Sequence, residues 1–244
     1  MEIVLIENKE LPKMRPVMEK MDLIIPGIPE GVPRYNGGLW VVSGSGGSGK
    51  SSMLLSFFRT RKLYRNKFDH IFYVCPMSSM LSVVNHPFVS HDKVYHELTP
   101  ELLTEIYTRL SEIKEDNEKE GEQEYSCLFI DDYADKLKDN HIQRALNRIL
   151  IKARHLKVLI IICVQAFKYF PLQLRRQITN VSIFKPKNVD EWETVAREML
   201  MIKKDYWTDL HNYIFDEPYT HLDIDTKTGE LYKNFNLLSI SFKK

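Results

Sequence analysis

The sequence lacks most of what marks specialised classes of protein. Its 34 basic residues are balanced by 33 acidic ones, leaving a formal charge of +1. Without excess charge a globally basic nucleic-acid binder is excluded, so any nucleic-acid contact has to come from a local patch. Only three cysteines occur, Cys75, Cys127 and Cys163. Their odd number and wide spacing fit neither a disulfide framework nor a zinc site, and each lies in an apolar run where a thiol behaves as a small hydrophobe. A reducing compartment is the simplest expectation. No apolar run approaches the ~18–20 residues a membrane helix needs. The longest, Val158 to Val164, has the length of a strand. Met1 to Lys9 has no basic region followed by a long apolar stretch, so no secretory signal is expected. No internal repeat is visible. These absences together point to a soluble intracellular protein with no membrane partner.

What is present is an ordinary globular composition. With 43% apolar residues in a chain of 244, one well-cored domain can form. Residues 1–37 read as a lead-in, since Pro26, Gly27, Pro29, Gly31 and Pro33 prevent a continuous helix. Residues 38–244 read as the main domain. Leu39 to Val42 is a short apolar run that ends at Ser43 and Gly44, a buried strand meeting a glycine-rich turn. Ser52 to Phe58 suits a helix packed on a sheet. Ile71 to Cys75 is a second strand, stopped by Pro76.

Thr99 is placed to cap a helix with Pro100 in its first turn, and Ile106, Leu110 and Ile113 continue it at helical spacing. Glu112 to Glu124 reads as the end of that helix and a solvated loop. Cys127 to Ile130 is a third strand. Ile142, Leu146, Ile149, Leu150 and Ala153 mark an amphipathic helix, and Val158 to Val164 is a fourth strand. Two further helices are expected around Pro171 to Thr179 and Val189 to Lys203. His221 to Asp225 and Glu230 to Phe235, joined through Thr226 to Gly229, read as a hairpin. Strands alternating with helices give an α/β doubly wound, mostly parallel sheet with helices on both faces, closed by a C-terminal β-hairpin. In such sheets ligands bind beyond the carboxyl ends of the strands.

The residues at those ends carry the chemistry. Gly44-Ser45-Gly46-Gly47-Ser48-Gly49-Lys50-Ser51 matches the phosphate-binding pattern G-x-x-x-x-G-K-[ST] in full, as in a P-loop NTPase. Small residues let the backbone wrap a phosphate and point N–H groups inward, and the following helix aims its positive end at the same anion. Lys50 then reaches the β- and γ-phosphates, and the Ser51 hydroxyl ligates Mg²⁺. A Gly/Ser linker followed by a chance lysine would give the same letters, but not between a strand and a helix. Asp131 and Asp132 follow four apolar residues. Behind a complete phosphate loop, Asp131 is placed to hold the metal and Asp132 to orient the attacking water, which favours hydrolysis over transfer to a small acceptor. In isolation they would be two aspartates ending a strand. Gln165, at the end of the fourth strand, can contact the γ-phosphate or the water. Arg154, Arg175 and Arg176 include candidates for an arginine supplied to a neighbouring subunit, although most arginines are surface residues. Arg59, Arg61, Lys62, Arg65 and Lys67 form a basic stretch that suits DNA phosphates or simply a solvated helix face.

Several segments align with one known group. They are Val41 to Ser52, Phe72 to Pro76, Leu128 to Asp132, Arg154-His155 with Val158 to Gln165, Leu174 to Asn180 and Ile183 to Asn188. On these the chain resembles the viral genome-packaging ATPases of the FtsK–HerA superfamily, in the poxvirus-type branch found in large DNA viruses and their virophages. The resemblance spans roughly residues 25 to 240 and implies ATP as the nucleotide, with Ser52 completing its contacts. It implies a homo-oligomeric ring that drives double-stranded DNA into a preformed capsid at a capsid or portal-like vertex, in the host cytoplasm where virions assemble. It makes Asp132 the catalytic acid, Gln165 a sensor, Arg154 the first choice for the trans-acting arginine and Arg175 the second. One departure is that the superfamily usually has Glu where this chain has the shorter Asp132. No DNA-gripping or nuclease domain of the larger motors is expected in this sequence, so the likeness is to a motor without cutting activity. Two other classes compete. A nucleoside or nucleotide kinase would use Arg175 and Arg176 as a phosphate-clamping lid, and a nucleotide-gated scaffold would assemble capsid parts without turnover.

Overall fold

The apolar runs become the middle of a parallel sheet. In the computed structural model, which describes residues 24–241 apart from 90, 92 and 122, its parallel strands are β1 (Leu39–Ser43), β2 (His70–Val74), β3 (Val94–Tyr95), β4 (Ser126–Ile130), β5 (Val158–Val164) and β6 (Asn180–Phe184). The Met1 to Lys9 stretch and the rest of the lead-in up to residue 23 lie outside the described residues. Antiparallel β7 (His221–Asp225), β8 (Leu231–Lys233) and β9 (Asn236–Leu237) extend one edge. Among the described residues the nine-stranded order is β3-β2-β4-β5-β1-β6-β7-β8-β9. β1 and β5 pair with neighbours on both sides and are buried along their whole length. This explains their unbroken apolar sequence.

Side chains alternate between the two faces, as the two-residue period of a strand requires. Leu39 and Val41 of β1, Phe72 and Val74 of β2, and Val158, Ile160 and Ile162 of β5 join one core. There they meet α3 (Pro100–Glu120), α4 (Asn140–Lys152), α6 (Val189–Met199) and α7 (Trp207–Ile214) through Leu103, Ile106, Leu146, Ile149, Val195 and Ile214. The intervening residues Trp40, Val42, Tyr73, Phe129, Leu159 and Ile161 join a second core on the other face. It is covered by α1 (Lys50–Arg59), through Leu54, Leu55, Phe57 and Phe58, and by Ile25, Ile28 and Val32 of the lead-in. All three cysteines lie buried on this second face as free thiols.

Local chemistry sets the helix ends. Thr99 accepts a hydrogen bond from the Leu102 N–H and Pro100 opens α3, a cap worth about 1 kcal/mol. Asn188 caps α6 in the same way through the Glu191 N–H. Several boundaries differ from the sequence expectation. α3 continues through the charged stretch to Glu120, because Lys114–Glu118 and similar one-turn pairs favour helix there, and Gly121 ends it in a left-handed cap. The helix expected around Pro171 to Thr179 is only the short α5 (Leu172–Arg175), and α6 stops at Met199. The hairpin arm expected over Glu230 to Phe235 is β8, which stops at Lys233, and β3, β6, β9 and α7 have no counterpart among the elements expected from the sequence. Asn180 and Ser182 interrupt the apolar pattern of β6. Ser182 is nevertheless fully buried, accepting from Trp40 Nε1 at 2.9 Å and donating to Asp223 at 2.6 Å.

Candidate active site

The sequence between β1 and α1 forms a loop at the carboxyl end of the sheet. Gly44 N–H donates to the Val164 carbonyl at 3.1 Å, tying the loop to the end of β5. A side chain at Gly44 would put its Cβ 2.6 Å from Ser48 Oγ and 2.7 Å from Phe184 Cβ, so only glycine fits. Gly46 and Gly47 have open space around them. The helix begins at Lys50 without a side-chain cap, leaving its first N–H groups directed at the loop's hollow. Lys50 Nζ donates to the Gly44 and Ser45 carbonyls at 2.5 and 3.0 Å, which holds the ammonium across the loop. Ser48 Oγ is buried with no hydrogen-bond partner. A buried unsatisfied hydroxyl is costly unless something polar meets it. Free N–H groups and a cation around one hollow fit an anionic phosphate group.

The acidic pair comes from β4, two strands away from β1 across the sheet. Asp131 is 5% exposed and its N–H donates to the Val74 carbonyl at 2.9 Å, so β2 and β4 fix its position together. Burial pushes its carboxyl pKa up, against hydrogen bonds from the Ser51 hydroxyl and the Cys163 thiol and the nearby positive charge of Lys50. The Cys163 thiol is itself pushed far above its usual range by burial, so it stays protonated. Ser51 and Asp131 bring hard oxygen donors together, the donor type that Mg²⁺ takes. Asp132 has φ 61, a left-handed conformation that aspartate tolerates better than most side chains. Ser79 Oγ on α2 (Met77–Leu81) donates to its Oδ2 at 2.6 Å.

Lys50, Ser51, Asp131, Asp132 and Gln165 line a single cleft of about 220 Å³, together with Gly46, Gly47 and residues of the 79–86 segment. The loop of β1, the acids of β4 and Gln165 after β5 are therefore brought together at three adjacent strand ends. Arg154 and Arg175 lie elsewhere. Arg154 precedes β5 while Gln165 follows it, so they are separated by about 20 Å of strand. Arg175 is bound within its own chain. It donates to both Glu198 carboxylate oxygens at 2.7 and 2.8 Å and to the Phe170 and Lys168 carbonyls, and its guanidinium lies over Phe167. Ser79, Tyr73 and His86 also line the cleft and had no signal in the sequence, because they reach it only through the pairing of β2 with β4. His86 accepts from the Phe88 N–H through Nδ1, leaving Nε2 to meet Tyr73 Oη at 3.2 Å. Among the described residues no cluster of three or more His, Cys, Asp or Glu side chains suggests another metal centre, and no helix is long and apolar enough to cross a membrane.

The chain is similar to several known proteins. A family model described as "Poxvirus A32 protein" matches residues 38–212. Among solved structures, the DNA-packaging ATPase B204 from Sulfolobus Turreted Icosahedral Virus is 17% identical with a TM-score of 0.58, covering 84% of this chain and 98% of that one. The genome packaging NTPase B204 from Sulfolobus turreted icosahedral virus 2, in complex with ATP-gammaS, is 16% identical with a TM-score of 0.55, covering 83% of this chain and all of that one (100%). The cytoplasmic domain of the Type VII secretion ATPase EccC of Thermomonospora curvata is 14% identical with a TM-score of 0.56, covering 89% of this chain and 26% of that one. At these identities the likeness to the solved structures is one of fold. A search of curated proteins gives no match.

Proposed function

The chain belongs to the poxvirus A32 protein family of viral genome-packaging ATPases, and from that premise we propose that it couples ATP hydrolysis to driving double-stranded DNA into a preformed capsid. It would do so as a homo-oligomeric ring at a capsid or portal-like vertex, in the host cytoplasm where virions assemble. The observation that carries the reading is the convergence of the Gly44 to Ser51 loop, Asp131, Asp132 and Gln165 on one cleft. We assign the ATPase unit to residues 38–244, with residues 1–37 as a lead-in whose described part lies against α1.

In this reading the backbone of Gly44 to Gly49 and the α1 N-terminus bind the phosphates, with Ser52 contacting the nucleotide beside them. Lys50 leaves the Gly44 and Ser45 carbonyls to pair with the β- and γ-phosphates. Ser51 and Asp131 would hold Mg²⁺, which would supply positive charge against that of the phosphates. The Cys163 thiol and the Val74 carbonyl hold Asp131 in place as a positioning shell. Asp132 orients the attacking water and accepts its proton on the carboxylate, with Ser79 fixing the direction of Oδ2. Gln165 reports the γ-phosphate to the end of β5. An arginine from a neighbouring subunit completes the charge stabilisation. Arg154, exposed at the opposite end of β5, is the first candidate for that role; Arg175, the second, has its donors engaged with Glu198. The same engagement weakens the kinase alternative, since Arg175 is not free to act as a lid. The basic stretch from Arg59 to Lys67 is the candidate surface for DNA phosphates.

The test is phosphate release by the purified chain with and without linear double-stranded DNA, alongside Lys50→Ala and Asp132→Asn. DNA-stimulated release that both substitutions abolish is the expected result. Release indifferent to DNA would remove the motor reading, and phosphate appearing on a nucleoside would replace it with a kinase.

A further inference from the structure

The phosphate loop has a second recess on its other side. One flank of the loop faces the cleft of Asp131, Asp132 and Gln165. The opposite flank faces a separate hollow of about 600 Å³ lined by Gly49, Ser52, Met53, Phe184, Tyr219 and His221, a size within the roughly 300–1,000 Å³ of ligand clefts. Gly47 borders both. The two hollows differ in chemistry. The first carries carboxylates and amides, whereas the second carries no acid and is walled by aromatic rings and a thioether.

Tyr219 is the unusual member. It is 72% exposed, and its backbone is held at φ 65, a conformation that aromatic residues rarely adopt. Its ring lies so close to the loop that a Cβ at Gly49 would sit 3.3 Å from Tyr219 Cδ1. Nothing in the core is gained by this placement, because Tyr219 belongs to neither buried cluster. The floor beneath it is rigid. The His221 ring packs against Phe184 and Phe235 at centroid distances of 5.0 and 4.8 Å. Its Nδ1 is bound to Asp223 at 2.8 Å, and Asp223 in turn accepts from Ser182 and from the Phe235 N–H. An exposed aromatic face beside a fixed floor is what a flat heterocycle needs for stacking.

We infer that this second recess seats the base of the nucleotide, with Tyr219 as its stacking platform. The inference rests on the phosphate-loop reading above and extends it. The reacting end of the nucleotide occupies the acidic cleft, so the opposite end leaves the loop past Ser52, toward β6 and β7. The base is held by stacking on Tyr219 and by contact with Met53, above the floor that His221 and Phe184 provide. Tyr219 is thus a binding residue for ATP and takes no part in the proton transfer.

Calorimetric titration of the full chain, in Mg²⁺, with β,γ-methylene-ATP and separately with inorganic tripolyphosphate tests this. Tyr219→Asn removes the ring while keeping a residue that tolerates the left-handed backbone, and Tyr219→Phe keeps the ring. Tyr219→Asn is expected to weaken the ATP analogue about tenfold, the scale of one base–aromatic stack, and to leave tripolyphosphate within about twofold of wild type. Tyr219→Phe should bind both as wild type does. Equal losses for both ligands, or no loss for the analogue, would overturn the inference. Lys50→Ala separates the two readings. Both ligands should be lost with it, and if both were retained the phosphate-loop assignment itself would fall, whatever Tyr219 does.

Discussion

Asp131 and Asp223 are both aspartates buried to within 5% of full coverage, in the two halves of one sheet, and they do opposite things. Asp223 lies in the antiparallel half, in the middle of β7. It is satisfied on all sides by Ser182, His221 and the Phe235 N–H. Asp131 lies in the parallel half, just past the end of β4. Burial raises its pKa, and its neighbours are a hydroxyl, a thiol and a lysine that all face a cleft. A buried charge whose bonds are all spent inside the fold holds strands together. One placed at a strand end, facing a cleft, is available for chemistry. The two halves of the sheet separate along that line.

The largest effect that would sharpen the comparison comes from the loop of the parallel half. Lys50→Ala should lower ATP turnover by roughly 10²–10³-fold, the scale for losing a preorganised charge in a site, and leave the thermal midpoint near that of wild type. A midpoint falling in step with the activity would make Lys50 a structural residue. Next in size is the pair of arginines. Arg175→Ala breaks a bidentate, partly buried pair with Glu198 and should destabilise the chain by about 1–3 kcal/mol in chemical denaturation, with activity following the folded fraction. Arg154→Ala should leave stability within about 0.5 kcal/mol but lower DNA-stimulated turnover. Mixing Arg154→Ala with Lys50→Ala subunits should restore part of that turnover, because each supplies what the other lacks. No recovery on mixing would remove Arg154 from the trans role.

The smallest effect concerns His86 beside the cleft. Burial and the charge of Arg59 lower its pKa below the ordinary histidine value of 6.5. The unfolded chain therefore takes up this proton at a higher pH than the folded one. Stability is held above pH 6.5 and is lost as pH falls from there toward the folded value. His86→Phe should flatten this part of the pH–stability profile, as measured by urea unfolding between neutral and mildly acidic pH. An unchanged slope would show that other groups set it.

Much of the parallel half was legible in the sequence. β5 matches the apolar run Val158 to Val164 residue for residue, and Thr99 and Pro100 open α3 as their chemistry requires. The phosphate pattern, Asp131, Asp132 and Gln165 could be placed at strand ends because each follows an unbroken apolar run. The antiparallel half was harder to read. Its hairpin was visible from the turn at Thr226 to Gly229, but β6 was hidden because it buries Asn180 and Ser182, whose partners lie on β1 and β7. The charged end of α3 looked like a loop because its surface pairs give no apolar period. Ser79 and Tyr219 carry no local signal at all. Their meaning depends on the order of strands in space, with β2 beside β4 and β6 beside β7.

The account is tested most directly by exchanging one atom in each aspartate. Asp131→Asn and Asp223→Asn would be compared for phosphate release per folded molecule and for thermal midpoint. Asp131→Asn should abolish release while its midpoint stays at or above the wild-type value, since a desolvated carboxyl has been removed. Asp223→Asn should lower the midpoint and keep release at low temperature. Loss of release at an unchanged midpoint in Asp223→Asn, or wild-type release in Asp131→Asn, would contradict the division of the sheet into a catalytic half and a structural one.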